Sequence, residues 1–146
     1  MEKAISDFIK ANRIASISCV DEEGKPYCFH CFYAYDEKNH ALFFKSSISS
    51  LHSMLLTKNS NIAGSILPEK LDFLTLKGIQ LTGKILEEPN LKQINPEALY
   101  HKAFPFAYAK PGKVWCIELL KVKMSDNSKI FGKKLLWEKE AVKQKL

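Results

Sequence analysis

Arginine is nearly missing from this chain, long apolar runs are absent, and no group of residues reads as acid–base or nucleophilic machinery. Each shortage excludes something. Of the 22 basic residues only Arg13 is arginine. Readers of base sequence rely on arginine forks for bidentate contacts. The net charge of +6 is therefore read as a solvated lysine surface, not as a nucleic-acid footprint. No apolar stretch approaches the ~20 residues that span a bilayer. The N-terminus, Met-Glu-Lys-Ala-Ile-Ser-Asp-Phe, has no basic start followed by an apolar block, so no secretory signal is expected and the cytoplasm is the expected location. With no Ser/His/Asp arrangement and no close carboxylate pair, no catalytic residue is assigned. The 146 residues carry no repeat, linker or low-complexity segment. One domain over 1–146 is expected, with 131–146 as its C-terminal tail.

Four cysteines are present, and Cys28-Phe-His-Cys31 matches C-x-x-C. Its context excludes the usual chemistry. Residues 27–35 read as a strand, where side chains three apart point to opposite faces. A redox pair needs a helix start to lower a thiol pKa, and a zinc pair needs a second ligand pair at suitable spacing. No metal is expected, and the thiols read as small apolar core residues.

What is present is a pattern of short strands. Ile5, Phe8 and Ile9 fit an amphipathic helix over 2–12. Strands are expected over 13–20, 27–35 and 41–46, separated by Asp21–Pro26 and Asp36–His40, as a meander. A helix over 49–58 puts Leu51, Met54 and Leu55 on one face and Ser50, Ser53 and Thr57 on another, with His52 between. Strands follow at 61–67 and 73–87, the latter bent through Gly78 and Gly83. Pro96 opens a helix that ends before Pro105. A loop spans 106–112 and a last strand 114–125. The reading is a mainly β fold: about six strands and a few short helices, closed into a small barrel to remove edges.

Two stretches carry the chemistry. Ala41-Leu-Phe-Phe-Lys45-Ser46-Ser47-Ile-Ser49-Ser50-Leu-His52-Ser53 is an apolar strand emptying into a serine-rich helix start. Backbone N–H groups, short hydroxyls and the positive helix end converge there, which suits a phosphate. Gly78-Ile-Gln80-Leu-Thr82-Gly83 is a strand that offers one amide between two glycines. Bland readings stand beside these. The serines could simply cap the helix, His52 could be solvated, and Gln80 could be an exposed strand residue. Phe29, Tyr33 and Tyr35 share one strand face and His30 and Phe32 the other, mostly as core or dimer contact. Trp115 and Trp137 read as packing anchors, and Lys133 and Lys134 as a solvated pair.

The strand order, the serine segment and the glutamine strand resemble the pyridoxamine 5′-phosphate oxidase-like FMN-binding split barrels. The tail Ser125-Asp126-Asn127-Ser-Lys-Ile-Phe131-Gly132-Lys133-Lys134-Leu-Leu-Trp137 resembles a small bacterial branch of that superfamily, the YhbP-like proteins. The resemblance implies a six-stranded split barrel and a homodimer with FMN at its interface. Carried onto this chain, it implies Lys45, Ser46, Ser47, Ser50, His52 and Gln80 as cofactor-binding residues. It also implies a flavin-dependent oxidoreductase acting on a small substrate, because the flavin performs the electron transfer and the protein supplies position and electrostatics. Relatives often carry a basic residue where Leu51 or His52 stands, so the phosphate here must rely on hydroxyls, backbone N–H groups and His52 or a lysine. The arginine–histidine pair of true pyridoxamine phosphate oxidases is not visible, and vitamin B6 oxidation is not expected. The alternatives are a haem-binding or haem-degrading split barrel and a non-enzymatic nucleic-acid-binding barrel. Nucleic-acid and membrane partners are not expected.

Overall fold

A computed structural model describes residues 1–87, 94–128 and 132–140. Helix α1 (Lys3–Ala11) buries Ile5, Phe8 and Ile9, the face that the apolar spacing marks. Strands β1 (Ile14–Val20), β2 (Pro26–Phe32), β3 (Ala34–Asp36) and β4 (Ala41–Ser46) lead to helix α2 (Leu51–Lys58). Strands β5 (Asn61–Ile66) and β6 (Lys77–Leu86) follow, then helix α3 (Pro96–Ala103) and a short 3-10 helix at Pro105–Ala109. Strand β7 (Lys113–Asp126) and strand β8 (Lys133–Glu138) complete the described elements.

All eight strands form one antiparallel sheet in the order β2-β1-β5-β6-β7-β4-β3, with β8 on β7. Its two ends, β2 and β3, are consecutive in the chain and separated only by Tyr33. The sheet therefore curls back on itself and makes the split-barrel fold. Tyr33 explains a difference from the sequence reading, which runs one strand through 27–35. Its N–H donates to the Arg13 carbonyl at 2.9 Å and its hydroxyl to the Ile9 carbonyl at 2.7 Å. Those bonds turn the ring inward, so residues before it pair with β1 and residues after it with β4. The meander is thus two hairpins joined at a corner.

The remaining strand differences are local. Residues 73–76 precede β6 rather than extending it, and a bulge falls at Thr82/Gly83. A Cβ at Gly83 would lie 2.6 Å from the Glu118 carbonyl oxygen, so the closeness of β6 and β7 requires glycine. The tail adds β8, which pairs Lys133–Glu138 with Asp126–Lys121. The split second strand and this addition turn six strands into eight. Residues 129–131 of the tail motif and 141–146 lie outside the described residues.

The barrel interior is filled by Ile17, Phe44, Ile66, Ile79, Ile117, Leu119 and Val122. A second, smaller cluster packs Phe43, Val114 and Cys116 under Tyr100 of α3. Strand β4 serves both clusters, and this explains why Ala41-Leu-Phe-Phe44 is apolar without alternation: a strand buried on both faces has no polar side. Each fully buried Phe contributes roughly 1.5–3 kcal/mol. In α2 the apolar face marked by Leu51 and Met54 points outward, and both are about half exposed. Ser53 and Leu56 are the buried side chains instead, with Leu55 partly buried against the same core, so the face that meets the barrel is turned from the one Leu51 and Met54 mark. No helix among the described residues is long and apolar enough to cross a membrane.

Candidate functional site

The barrel's split lies between edge strand β2 and strand β4, and it opens into a cavity of about 540 Å³. Alternation along β4 sets what enters it. Phe44 and Ser46 face the β2 side, while Lys45 faces α3. Lys45, Ser46, Ser47 and His52 all line the cavity. Opposite them stand His30, Cys31 and Phe32 of β2, and the far wall is Tyr100 with the Ala107–Pro111 segment. A second hollow of about 490 Å³, between α1, Tyr33 and α3, holds none of these serines.

The serines and His52 form one network at the start of α2. Ser50 is the N-cap, and its Oγ accepts the Ser53 N–H at 3.3 Å. The Oγ atoms of Ser50 and Ser53 are 2.8 Å apart, and Ser46 Oγ lies 3.3 Å from Ser50 Oγ. His52 Nε2 is 2.6 Å from Ser46 Oγ, and its ring stacks on Phe29 at 3.9 Å. Burial holds the His52 imidazole below its ordinary pKa, so at neutral pH it is a neutral hydrogen-bonding group, not a cation. Capping and site formation coincide, since Ser50 holds the helix start that carries His52 to Ser46. Ser50 itself is not among the lining residues, and Ser47 Oγ is engaged with Ser49 Oγ at 2.9 Å.

The cations are Lys45 and Lys110. The Lys45 ammonium donates to the Ala107 carbonyl at 2.8 Å and lies 3.0 Å from His101 Nε2. No carboxylate lines the cavity among the described residues. The two ammonium groups can only donate and the serine hydroxyls can donate as well as accept, so this carboxylate-free wall fits a phosphate dianion. Leu51 is exposed on the first turn; the ammonium groups at the cavity are those of Lys45 and of Lys110, the second of which the sequence reading did not single out.

Gln80 is not brought to this cavity. It is exposed on the outer face of β6, paired across the sheet with Ser65 and Lys123. The sequence reading also missed Tyr100, Lys110 and Lys45's partner His101, which come from a helix and loop with no motif of their own. Pro96 predicts that helix, which the structure shows capped by Asn95 at the Ala98 N–H, but not its docking on β4. Burial raises the Cys31 thiol to about 12 and Cys116 likewise, so neither is a thiolate at neutral pH. All four cysteines are free. No cluster of three or more His, Cys, Asp and Glu residues fit to hold a metal ion occurs among the described residues.

No family model matches the chain. The UPF0306 protein of Yersinia pseudotuberculosis serotype O:3 (strain YPIII) is 30% identical over 135 residues, covering 92% of this chain and 91% of its own. Among solved structures, a haem-binding protein from Mycobacterium smegmatis superposes with a TM-score of 0.73 at 15% identity, over 94% of this chain and 59% of that one. A pyridoxamine 5′-phosphate oxidase-related, FMN-binding protein from Nostoc punctiforme PCC 73102 gives a TM-score of 0.68 at 11% identity, over 94% of this chain and 89% of that one.

Proposed function

Because the chain belongs to the UPF0306 family and has the split-barrel fold, we propose that its β2/β4 cavity binds FMN and that the protein is a flavin-dependent oxidoreductase for a small substrate. The observation that carries this reading is the convergence of Lys45, Ser46, Ser47 and His52 on one carboxylate-free cavity at a helix start. About 540 Å³ is ordinary for a cofactor site. Lys45 and Lys110 attract the phosphate, the Ser46 and Ser47 hydroxyls and the α2 first-turn N–H groups orient it, and Phe44, Phe32 and Tyr100 offer apolar wall to a ring. The flavin, when bound, supplies hydride or electron transfer; the chain supplies anchoring and partial exclusion of water.

The reading includes a homodimer with the cofactor at its interface. Ile48, next in the chain to Ser47, is largely exposed, and Leu51 and Met54 are about half exposed. Gln80 stands on an outer sheet face, where its amide serves a flavin only when a second copy packs close by. Haem is a second reading, favoured by His30 and His52 lining the same cavity, since an imidazole is then at hand for iron.

Parallel titrations with FMN and haem separate the two. Saturable quenching of flavin fluorescence, with size-exclusion light scattering at twice the chain mass, supports the first reading. A sharp new haem absorption band without flavin quenching supports the second, and neither signal would overturn both.

A further inference from the structure

We propose that His101 is the positioning residue for Lys45, holding its ammonium at the cavity without neutralising it, so that the site is selective for ligands ending in a phosphomonoester. The identity of that ligand as a flavin rests on the reading above; the positioning itself does not.

A lysine ammonium has three N–H donors and no acceptor. At Lys45, one donor goes to the Ala107 carbonyl at 2.8 Å and one to His101 Nε2 at 3.0 Å. The third remains for the cavity that Lys45 lines. Because the ammonium can only donate, Nε2 must accept, and the ring proton sits on Nδ1. That nitrogen finds its acceptor in the Glu97 carbonyl at 2.9 Å, with the Glu97 carboxylate 3.4 Å away. The ring is locked from the side as well. Tyr108 stacks on it at 3.9 Å and 16°, and His101 is 4% exposed. A buried imidazole fixed at both nitrogens and one face is a rigid acceptor.

The choice of acceptor matters. A free lysine side chain carries ~2 kcal/mol of rotamer entropy, which an unheld ammonium must lose when it grips an anion. A carboxylate partner would remove that cost but cancel the charge, leaving little field for the ligand. A neutral imidazole and a backbone carbonyl hold the ammonium and leave its full charge directed at the cavity. No side chain among the described residues braces the Lys110 ammonium, so Lys45 is the preorganised one.

The test compares FMN with riboflavin, which lacks the phosphate, across four proteins and their combination: wild type, His101→Ala, His101→Gln and Lys45→Met. His101→Ala should weaken FMN at least fivefold and riboflavin less than twofold. His101→Gln, whose amide oxygen can accept, should recover most of the FMN affinity. Adding His101→Ala to Lys45→Met should change nothing further. Equal losses for both flavins, or an undiminished effect in the Lys45→Met background, would overturn the proposal. Long-range 15N NMR of the ligand-free protein decides the geometry without any flavin. An Nδ1–H tautomer whose Nε2 resonance moves on Lys45→Met upholds it, and an Nε2–H tautomer overturns it. If wild type binds neither flavin, the cofactor reading fails and the NMR result still rules on His101.

Discussion

Replacing Tyr33 by phenylalanine removes one oxygen atom at the corner that closes the barrel. The Tyr33 hydroxyl donates to the Ile9 carbonyl at 2.7 Å, and both residues are buried, Tyr33 at 3% exposure and Ile9 at 0%. Ile9 is in the last turn of α1, where carbonyls have no intrahelical N–H to accept. The substitution therefore strands a buried acceptor and keeps the ring's packing. Leaving such a group unsatisfied costs about 1–3 kcal/mol. Taking about 2 kcal/mol, Tm should fall by ~4–8 °C for a chain of this length. The denaturant slope should stay unchanged, since the surface exposed on unfolding is the same. Tyr35→Phe is the internal control. Its hydroxyl takes a long 3.3 Å bond from Ser6, and Ser6 has a better partner in Glu37 at 2.7 Å, so the change should be within ~0.5 kcal/mol. Paired urea melts read both variants. A Tyr33→Phe protein as stable as wild type, or no more affected than Tyr35→Phe, would refute the view that this single bond ties α1 to the closure between β2 and β3.

Further consequences are equally concrete. Gly83→Ala places a methyl 2.6 Å from the Glu118 carbonyl oxygen and 2.8 Å from Ile117; a loss of about 2–3 kcal/mol in equilibrium unfolding is expected, and a neutral result would mean the bulge is not needed. His40 and His52 are both held below the ordinary imidazole value of 6.5, chiefly by burial. The unfolded chain then binds more protons below that value, so stability should rise with pH up to about 6.5 and level off above it; if His40→Gln with His52→Gln leaves that rise unaltered, the cause lies elsewhere. Lys45→Met deletes a charge-assisted contact to the phosphate, worth about 1.5–3 kcal/mol. FMN affinity measured by fluorescence quenching should fall roughly 10- to 100-fold, and a loss below threefold would remove Lys45 from the anion site.

Much of this architecture is legible in the sequence because it follows local rules. Ile5, Phe8 and Ile9 mark α1, and the alternation in Ile14–Val20 marks β1. Pro96 marks α3, and Phe44-Lys45-Ser46 marks the strand end at the cavity. The parts that escaped are long-range. Tyr33 breaks its strand because of partners in α1 and at Arg13, which no window around residue 33 contains. Leu51 and Met54 mimic a core stripe, yet the buried face is set by Ser53 and Leu56 against the barrel. Among the assigned binding residues, Lys45, Ser46, Ser47 and His52 meet at one cavity and Ser50 caps the helix beside it. Gln80 stays on another face because sheet register, not motif spacing, decides where an amide points. His101 carried no signal at all: a lone histidine in Tyr100-His101-Lys102 gains meaning only when α3 docks on β4.

On the proposed function, the carboxylate-free cavity at the start of α2 is built for a phosphate-bearing flavin. Equilibrium titration of the purified protein with FMN, followed by quenching of flavin fluorescence, tests it most directly. Saturable binding of one FMN per chain is expected, with riboflavin markedly weaker and Lys45→Met erasing the difference. FMN and riboflavin binding alike, or no quenching by either, would contradict it.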